Sequence, residues 1–187
     1  MDRAVVLLDG GYLAKLLKDE FGEPRIDHLK LSENLSAGYE RLRTYYYDCL
    51  PYQSDPPTPE ERKMISDKTR FIRRLESLPR FDVRLGKLRL REGFFVQKGI
   101  DVLLAIDLVG LASKRQIQKA ILLAGDADYV PAVEVAKDDG VIVHLYHSQV
   151  IGKYSNELHQ VCDERTPVTK QLIDSCRLIT KSESLGL

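Results

Sequence analysis

Four aspartates, Asp9, Asp101, Asp126 and Asp128, stand where a folded chain could use them for chemistry. Asp9 closes the apolar run Ala4-Val5-Val6-Leu7-Leu8, and Asp126 follows the apolar run Ala120-Ile121-Leu122-Leu123-Ala124 and one glycine. Runs this short and this uniformly apolar read as strands buried on both faces of a parallel sheet. Ligands of such sheets gather beyond the carboxyl ends of the strands, where both carboxylates fall. Asp128 shares the turn with Asp126, and Asp101 opens a helix whose dipole favours a negative charge there. Carboxylates brought together raise one another's pKa, so a fold tolerates the cluster mainly when a cation neutralises it. Oxygen ligands without histidine or thiolate suit Mg²⁺ or Mn²⁺. Such ions meet phosphate oxygens and support in-line phosphoryl displacement with an activated water. The plainer reading is that Asp126 and Asp128 cap the helix that starts near Tyr129.

The elements that position these residues follow from the pattern along the chain. Strands are expected at 3–8, 41–50, 120–124 and 141–146, the last also apolar on both faces. Residues 81–97 alternate apolar and basic side chains, which predicts an extended strand or hairpin rather than a parallel core strand. Helices are expected at about 12–20, 27–37, 59–78, 98–112 and 129–138, with two short ones after Ser155 and near 168–178. Thr58 with Pro59, Glu60 and Glu61 is a helix start, and Asp139-Gly140 is a helix stop. Four prolines between Pro51 and Pro59 mark an exposed loop. Strands alternating with helices give a three-layer α/β/α, Rossmann-like parallel sheet as a single domain over residues 1–180, with 181–187 as a tail.

Composition narrows the class. The 187 residues are 43% hydrophobic, which is globular rather than disordered. No run approaches the roughly 20 apolar residues that span a bilayer, so no membrane partner is expected. The N-terminal apolar run is too short for a signal peptide. Cys49, Cys162 and Cys176 are odd in number and widely spaced, which reads as reduced thiols of a cytoplasmic protein rather than a zinc site. His144 and His147 are three apart on a strand and point to opposite faces, against a histidine zinc site.

Three blocks of the sequence resemble the NYN branch of the PIN-like nucleases. They are Val6-Leu7-Leu8-Asp9-Gly10-Gly11-Tyr12, Lys98-Gly99-Ile100-Asp101-Val102 through Ile106-Asp107-Leu108, and Leu123-Ala124-Gly125-Asp126-Ala127-Asp128-Tyr129-Val130-Pro131. The third block is the most specific. The resemblance implies a PIN-like fold, Mg²⁺- or Mn²⁺-dependent hydrolysis of RNA phosphodiesters, and Asp9, Asp101, Asp126 and Asp128 as the metal-binding acids. Two positions depart from the family's pattern. Tyr12 stands where many members carry Asn, and Ala124 where they carry Ser or Thr.

A nucleic acid needs cations to lie on. The formal charge of the chain is zero, yet between Glu60 and Arg91 eleven cations stand against five anions. That basic stretch could carry a phosphate backbone, through Arg70, Arg73, Arg74, Arg89 and Arg91, with Lys98 beside Asp101; a solvated helix face and a charged edge strand would look the same. Tyr45, Tyr46 and Tyr47 could stack on bases. Alternation puts at least one in the core, and packing is the better reading. Asp107 lies about 240° round a helix from Asp101 and does not share its face; Asp48 is a weaker acid at another strand exit. The leading expectation is a metal-dependent ribonuclease, and the alternative is an RNA-binding or regulatory module without turnover. A small-molecule phosphatase is disfavoured, because Asp9-Gly10-Gly11 lacks a second aspartate two positions on. RNA is the expected partner, and a homodimer is left open.

Overall fold

Val5, Val6, Leu7 and Leu8 have no solvent exposure, so the first strand is covered on both faces. Burying each such side chain contributes about 1.5–3 kcal/mol. This strand, β1 (Arg3–Asp9), is the centre of the sheet in the computed structural model, which describes residues 1–91 and 94–178, with the backbone alone for 87–91 and 94–98. The other strands are β2 (Glu40–Cys49), β3 (Phe81–Arg91), β4 (Phe94–Lys98), β5 (Lys119–Leu123), β6 (Ile142–His147) and β7 (Glu164–Pro167). They lie in the order β4-β3-β2-β1-β5-β6-β7. All neighbours pair parallel except β3 and β4.

The helices are α1 (Gly10–Phe21), α2 (His28–Leu35), α3 (Pro59–Glu76), α4 (Ile100–Ser113), α5 (Val130–Asp138), α6 (Asn156–Val161) and α7 (Lys170–Ser175). Leu13 and Leu16 of α1, Leu31 of α2, Leu75 of α3 and Ile173 of α7 pack on Val6, Leu8, Ile121 and Leu123. On the opposite face, Leu104 and Leu108 of α4, Val133 of α5 and Leu158 of α6 pack on Val5, Leu7, Ala120 and Leu122. Alternate residues of one strand therefore feed two separate cores, which makes the three layers expected from the strand pattern. No helix among the described residues is long and apolar enough to cross a membrane.

Thr58 starts α3 as expected, with a reciprocal box in which its hydroxyl accepts from the Glu61 N–H and the Glu61 carboxylate accepts from the Thr58 N–H. The three tyrosines of β2 are all buried, Tyr45 and Tyr47 in one core and Tyr46 in the other.

Three elements differ from the sequence reading. The first half of β3 is a parallel strand after all, pairing Phe81–Gly86 with Thr44–Cys49, and only the second half forms a hairpin with β4. β6 is one-sided. Val143 and Leu145 are fully buried, while Ile142 is exposed and His144 and Tyr146 are part-covered. The strand β7 was not anticipated, because Glu-Arg-Thr-Pro is a short polar edge with no apolar pattern. The tail at 181–187 lies outside the described residues.

Candidate active site

The order of strands reverses at β1, whose neighbours β2 and β5 lead away in opposite directions. A crevice opens at such a switch point beyond the strand ends. Asp9 sits there as the last residue of β1 and the N-cap of α1, its Oδ1 accepting from the Tyr12 N–H at 3.0 Å. The turn is tight enough to require the next glycine. A Cβ on Gly10 would lie 2.7 Å from both the Tyr46 ring and the Tyr47 carbonyl. Beyond β5, Asp126 caps a single 3-10 turn (Ala127–Tyr129), accepting from the Asp128 N–H at 3.1 Å. Asp126 is therefore a cap, but of this turn and not of α5, whose start has no side-chain cap, and the bond fixes its carboxylate at the crevice mouth. Asp101 enters from the first turn of α4.

Tyr129 joins the set. Its ring is fully buried, and its hydroxyl oxygen lies 2.9 Å from Asp9 Oδ2 and 3.0 Å from Asp101 Oδ1. A phenol has one proton to donate. It can satisfy one carboxylate; the other contact then needs a proton on the acid or a cation nearby. Burial, with a smaller push from Asp101, raises the Asp9 pKa above the ordinary carboxylate value despite the N–H of Tyr12 and the Tyr129 hydroxyl. Burial and the same two acids push the Tyr129 pKa far up, so the phenol stays protonated.

This is an electrostatic setting that one added positive charge relieves. Among the described residues no three acid, histidine or cysteine side chains converge closely enough to enclose a metal by themselves. Magnesium does not require that. It is commonly held by one or two carboxylates, with waters and substrate phosphates completing the shell. Asp9 and Asp101, meeting at one hydroxyl with too few protons, fit such an ion.

Asp9, Asp101 and Asp126 line one open cleft of about 770 Å³ with Tyr12, Gly125, Lys153, Tyr154 and Ser155. Asp128 is exposed and does not line the cleft. Asp107 serves elsewhere, binding the Tyr47 hydroxyl at 3.0 Å and Arg84 Nε at 3.1 Å, and so ties α4 to β2 and β3. Asp48 is buried at the end of β2 in an ion pair with Lys68.

Among the described basic candidates, Arg70, Arg73 and Arg74 do not line the acidic cleft. Arg70 and Arg74 line a separate groove of about 820 Å³ between α1 and α3, whose floor is apolar and whose rim also carries Glu23, Asp27 and Asp67. Arg73 is exposed on α3. Arg89, Arg91 and Lys98 fall on β3 and β4, where their side chains lie outside the described residues. Sequence reasoning missed Tyr129 as the bridge, and missed Lys153 and Tyr154 altogether. Tyr129 had a signal, since it sits inside the third motif. The other two come from an irregular loop with no periodicity to mark it.

The departures at Tyr12 and Ala124 have structural accounts. Ala124 is fully buried behind the turn. The Tyr12 ring lies against Gly125, where an added Cβ would come within 2.3 Å of it, and the Tyr12 hydroxyl accepts from the Ser148 N–H at 2.9 Å.

Comparison with known proteins agrees with the fold. The NYN domain pattern matches residues 3–169. An uncharacterized protein of Sinorhizobium fredii is 44% identical over 65 residues, which are 33% of this chain and 30% of that protein. The match thus spans under a third of the length of that relative. A crystal structure of a protein of unknown function from Vibrio parahaemolyticus aligns over 95% of this chain and 96% of that one, with a TM-score of 0.64 and 19% identity. At that identity the likeness is one of fold.

Proposed function

The chain belongs to the NYN-domain family, a family of PIN-like nucleases, and on that premise we propose that it hydrolyses RNA phosphodiester bonds with Mg²⁺ or Mn²⁺. The observation that carries this reading is the meeting of Asp9 and Asp101 on the single Tyr129 hydroxyl, in a cleft that Asp126 also lines. Asp9 and Asp101 would hold the divalent ion, which would supply positive charge to the phosphate and make water at the site more acidic.

The residues divide the remaining work. The Tyr12 N–H fixes the Asp9 carboxylate, and the Tyr129 hydroxyl, with one proton to donate, keeps Asp9 and Asp101 gathered at a single oxygen. Asp126 is exposed and accepts only one bond from the chain among those described, the Asp128 N–H, so it has an oxygen left to orient or deprotonate the attacking water. Asp128, exposed two residues on, adds negative charge at the mouth. Water oxygen attacks phosphorus, the bond to the ribose 3′ oxygen breaks, and that oxygen takes a proton. The products carry 5′-phosphate and 3′-hydroxyl ends. We assign this work to the cytoplasm, in keeping with three buried cysteines that fall in two different cores.

Cleavage of a labelled single-stranded RNA with Mn²⁺, with and without chelator, tests the reading. Asp9→Asn, which removes a carboxylate that would hold the ion, and Asp126→Asn, which removes the carboxylate that handles the water, are each expected to lower kcat/KM by about 100-fold or more. Unchanged activity in both would remove the mechanism. RNA binding without any metal-dependent product would make the chain a non-catalytic RNA-binding module.

A further inference from the structure

The loop between β6 and α6, residues 148–155, is irregular but tied down along its length. At its start the Ser148 N–H donates to the Tyr12 hydroxyl, the Ser148 hydroxyl donates to Glu20 Oε1, and the Gln149 side chain donates to the Val168 carbonyl at 2.7 Å. At its end the Ser155 N–H donates to the Gly125 carbonyl at 2.8 Å, and Ser155 caps α6. The loop is thus clamped to α1 at one end and to the acidic turn at the other. Between the clamps it delivers Lys153 and Tyr154 to the wall of the cleft.

Lys153 is the one cation among the described residues that line the cleft. Its ammonium is 2.7 Å from Asp19 Oδ2, in a pair whose members are 41% and 31% exposed. An ion pair that open to water holds its partners weakly, so a phosphate can replace Asp19 at little cost. Tyr154 stands beside it, half-buried, its ring against His147 at 4.5 Å and His159 at 5.3 Å between centroids. These neighbours hold the ring of a residue that also lines the cleft. A cation and a braced aromatic ring on adjacent residues are the two contacts that one nucleotide of a single strand offers, its phosphate and its base.

Resting on the ribonuclease reading, we infer that the 148–155 loop seats the substrate: Lys153 holds a backbone phosphate next to the scissile one, and Tyr154 stacks on the attached base. The substrate class follows. It is a single strand whose base is free to turn onto the ring, since a paired duplex keeps its bases stacked inside. The loop does not form bonds to phosphorus; it sets where the strand lies relative to Asp9, Asp101 and Asp126.

Two measurements on the full chain test this. Binding of a fluorescent single-stranded RNA by anisotropy is followed against salt, in the Asp126→Asn background and with chelator present so that metal-dependent cleavage is suppressed. Lys153→Met is expected to reduce the slope of log Kd against log salt by about 0.7, the share of one phosphate contact on a single strand, and Lys153→Arg is expected to keep it. Tyr154→Ala is expected to weaken binding roughly 5- to 100-fold, and Tyr154→Phe to bind as the parent does. Thermal melting of each variant checks that the fold is intact. Cleavage by the Asp126-containing variants is then expected to show higher KM with kcat changed far less. If metal-dependent cleavage is present but Lys153→Met and Tyr154→Ala keep the parental affinity and KM, the loop assignment is wrong and the nuclease reading survives. If no variant cleaves but both substitutions still weaken RNA binding, the loop assignment stands and the nuclease reading falls. Absence of RNA binding by the parent overturns both.

Discussion

Asp9 and Asp101, ninety-two positions apart in the sequence, lie on either side of one phenolic oxygen, at 2.9 and 3.0 Å. One proton is shared among three oxygens that would each accept it. Removing that hydroxyl should leave the ring packing of Tyr129 in place and disturb only the two carboxylates. Tyr129→Phe is expected to raise the Mn²⁺ concentration needed for half-maximal activity by about 10- to 100-fold, the usual effect of losing a group that orients metal ligands. The measurement is a Mn²⁺ titration of cleavage rate, with circular dichroism as the check on folding. A variant that needs no more Mn²⁺ than the parent would show that the bridge does not orient the acids.

Asp107 makes the contrasting case, because it belongs to the same helix as Asp101 and does none of its work. It accepts from the fully buried Tyr47 and from Arg84. Asp107→Ala leaves the Tyr47 hydroxyl without this acceptor, and a buried polar group so stranded costs about 1–3 kcal/mol. Burial, the larger cause of the raised Tyr47 pKa, remains in the variant, so the group left behind is a neutral phenol. Urea unfolding is expected to show that loss, while kcat/KM per folded molecule stays within about twofold, because Asp107 does not line the cleft.

The contrast also shows what could be read from the chain beforehand. Continuous apolar runs at 4–8 and 120–124 announced buried parallel strands, and an aspartate at each exit announced the crevice. Helical spacing separated Asp107 from Asp101 without coordinates. What stayed hidden was the relation between elements. No periodicity says that a tyrosine three residues beyond Asp126 turns back to meet Asp9 and Asp101, or that an irregular loop after β6 brings Lys153 to the same cleft. The basic segment shows a related limit: charge density along the sequence does not say which way a helix faces. Arg70 and Arg74 point to a groove bounded by α1 and α3 instead. The double nature of β3 was hidden because its alternation fits a one-sided strand of either direction, and its partner changes at Gly86.

Gly125 and Tyr12 form a packed pair that tests how the acidic turn is held. A methyl group at 125 would sit 2.3 Å from one ring carbon of Tyr12 and 2.7 Å from the next. Either the ring or the turn has to move, and overpacking of this kind costs about 1–3 kcal/mol. Gly125→Ala is therefore expected to lower both stability and activity, because Asp126 and the Ser148 contact move with the two elements. In a Tyr12→Ala background the clash is absent, so the same substitution should cost much less. Denaturant unfolding of the four proteins gives the coupling, expected to exceed about 1 kcal/mol, within the range for residues in direct contact. Additive costs would mean that the ring and the turn do not press on each other.

His28 gives the fold a dependence on pH that is separate from the cleft. Its ring packs edge-on against Tyr46 and Phe71, with centroids 5.6 and 5.3 Å apart. Burial pulls its pKa down from 6.5 to about 4, in spite of Asp27 nearby. A lowered histidine is neutral in the fold and protonated in the unfolded chain between those two values, so the unfolded state binds more protons there. Stability from this group is fully present above pH 6.5 and is lost as pH falls toward 4, by about 1.4 kcal/mol per pH unit and about 3 kcal/mol at most. His28→Phe keeps an aromatic ring at the site and removes the titration. Urea midpoints at pH 7 and pH 5 should therefore fall apart more for the parent than for the variant, by about 2 kcal/mol in unfolding free energy. The carboxylates Asp19, Glu61 and Asp174, whose pKa values are lowered by hydrogen bonds, add acid sensitivity to both proteins alike and cancel in the difference. Equal losses in the two proteins would mean that His28 is protonated in the fold at pH 5 and that water reaches the ring.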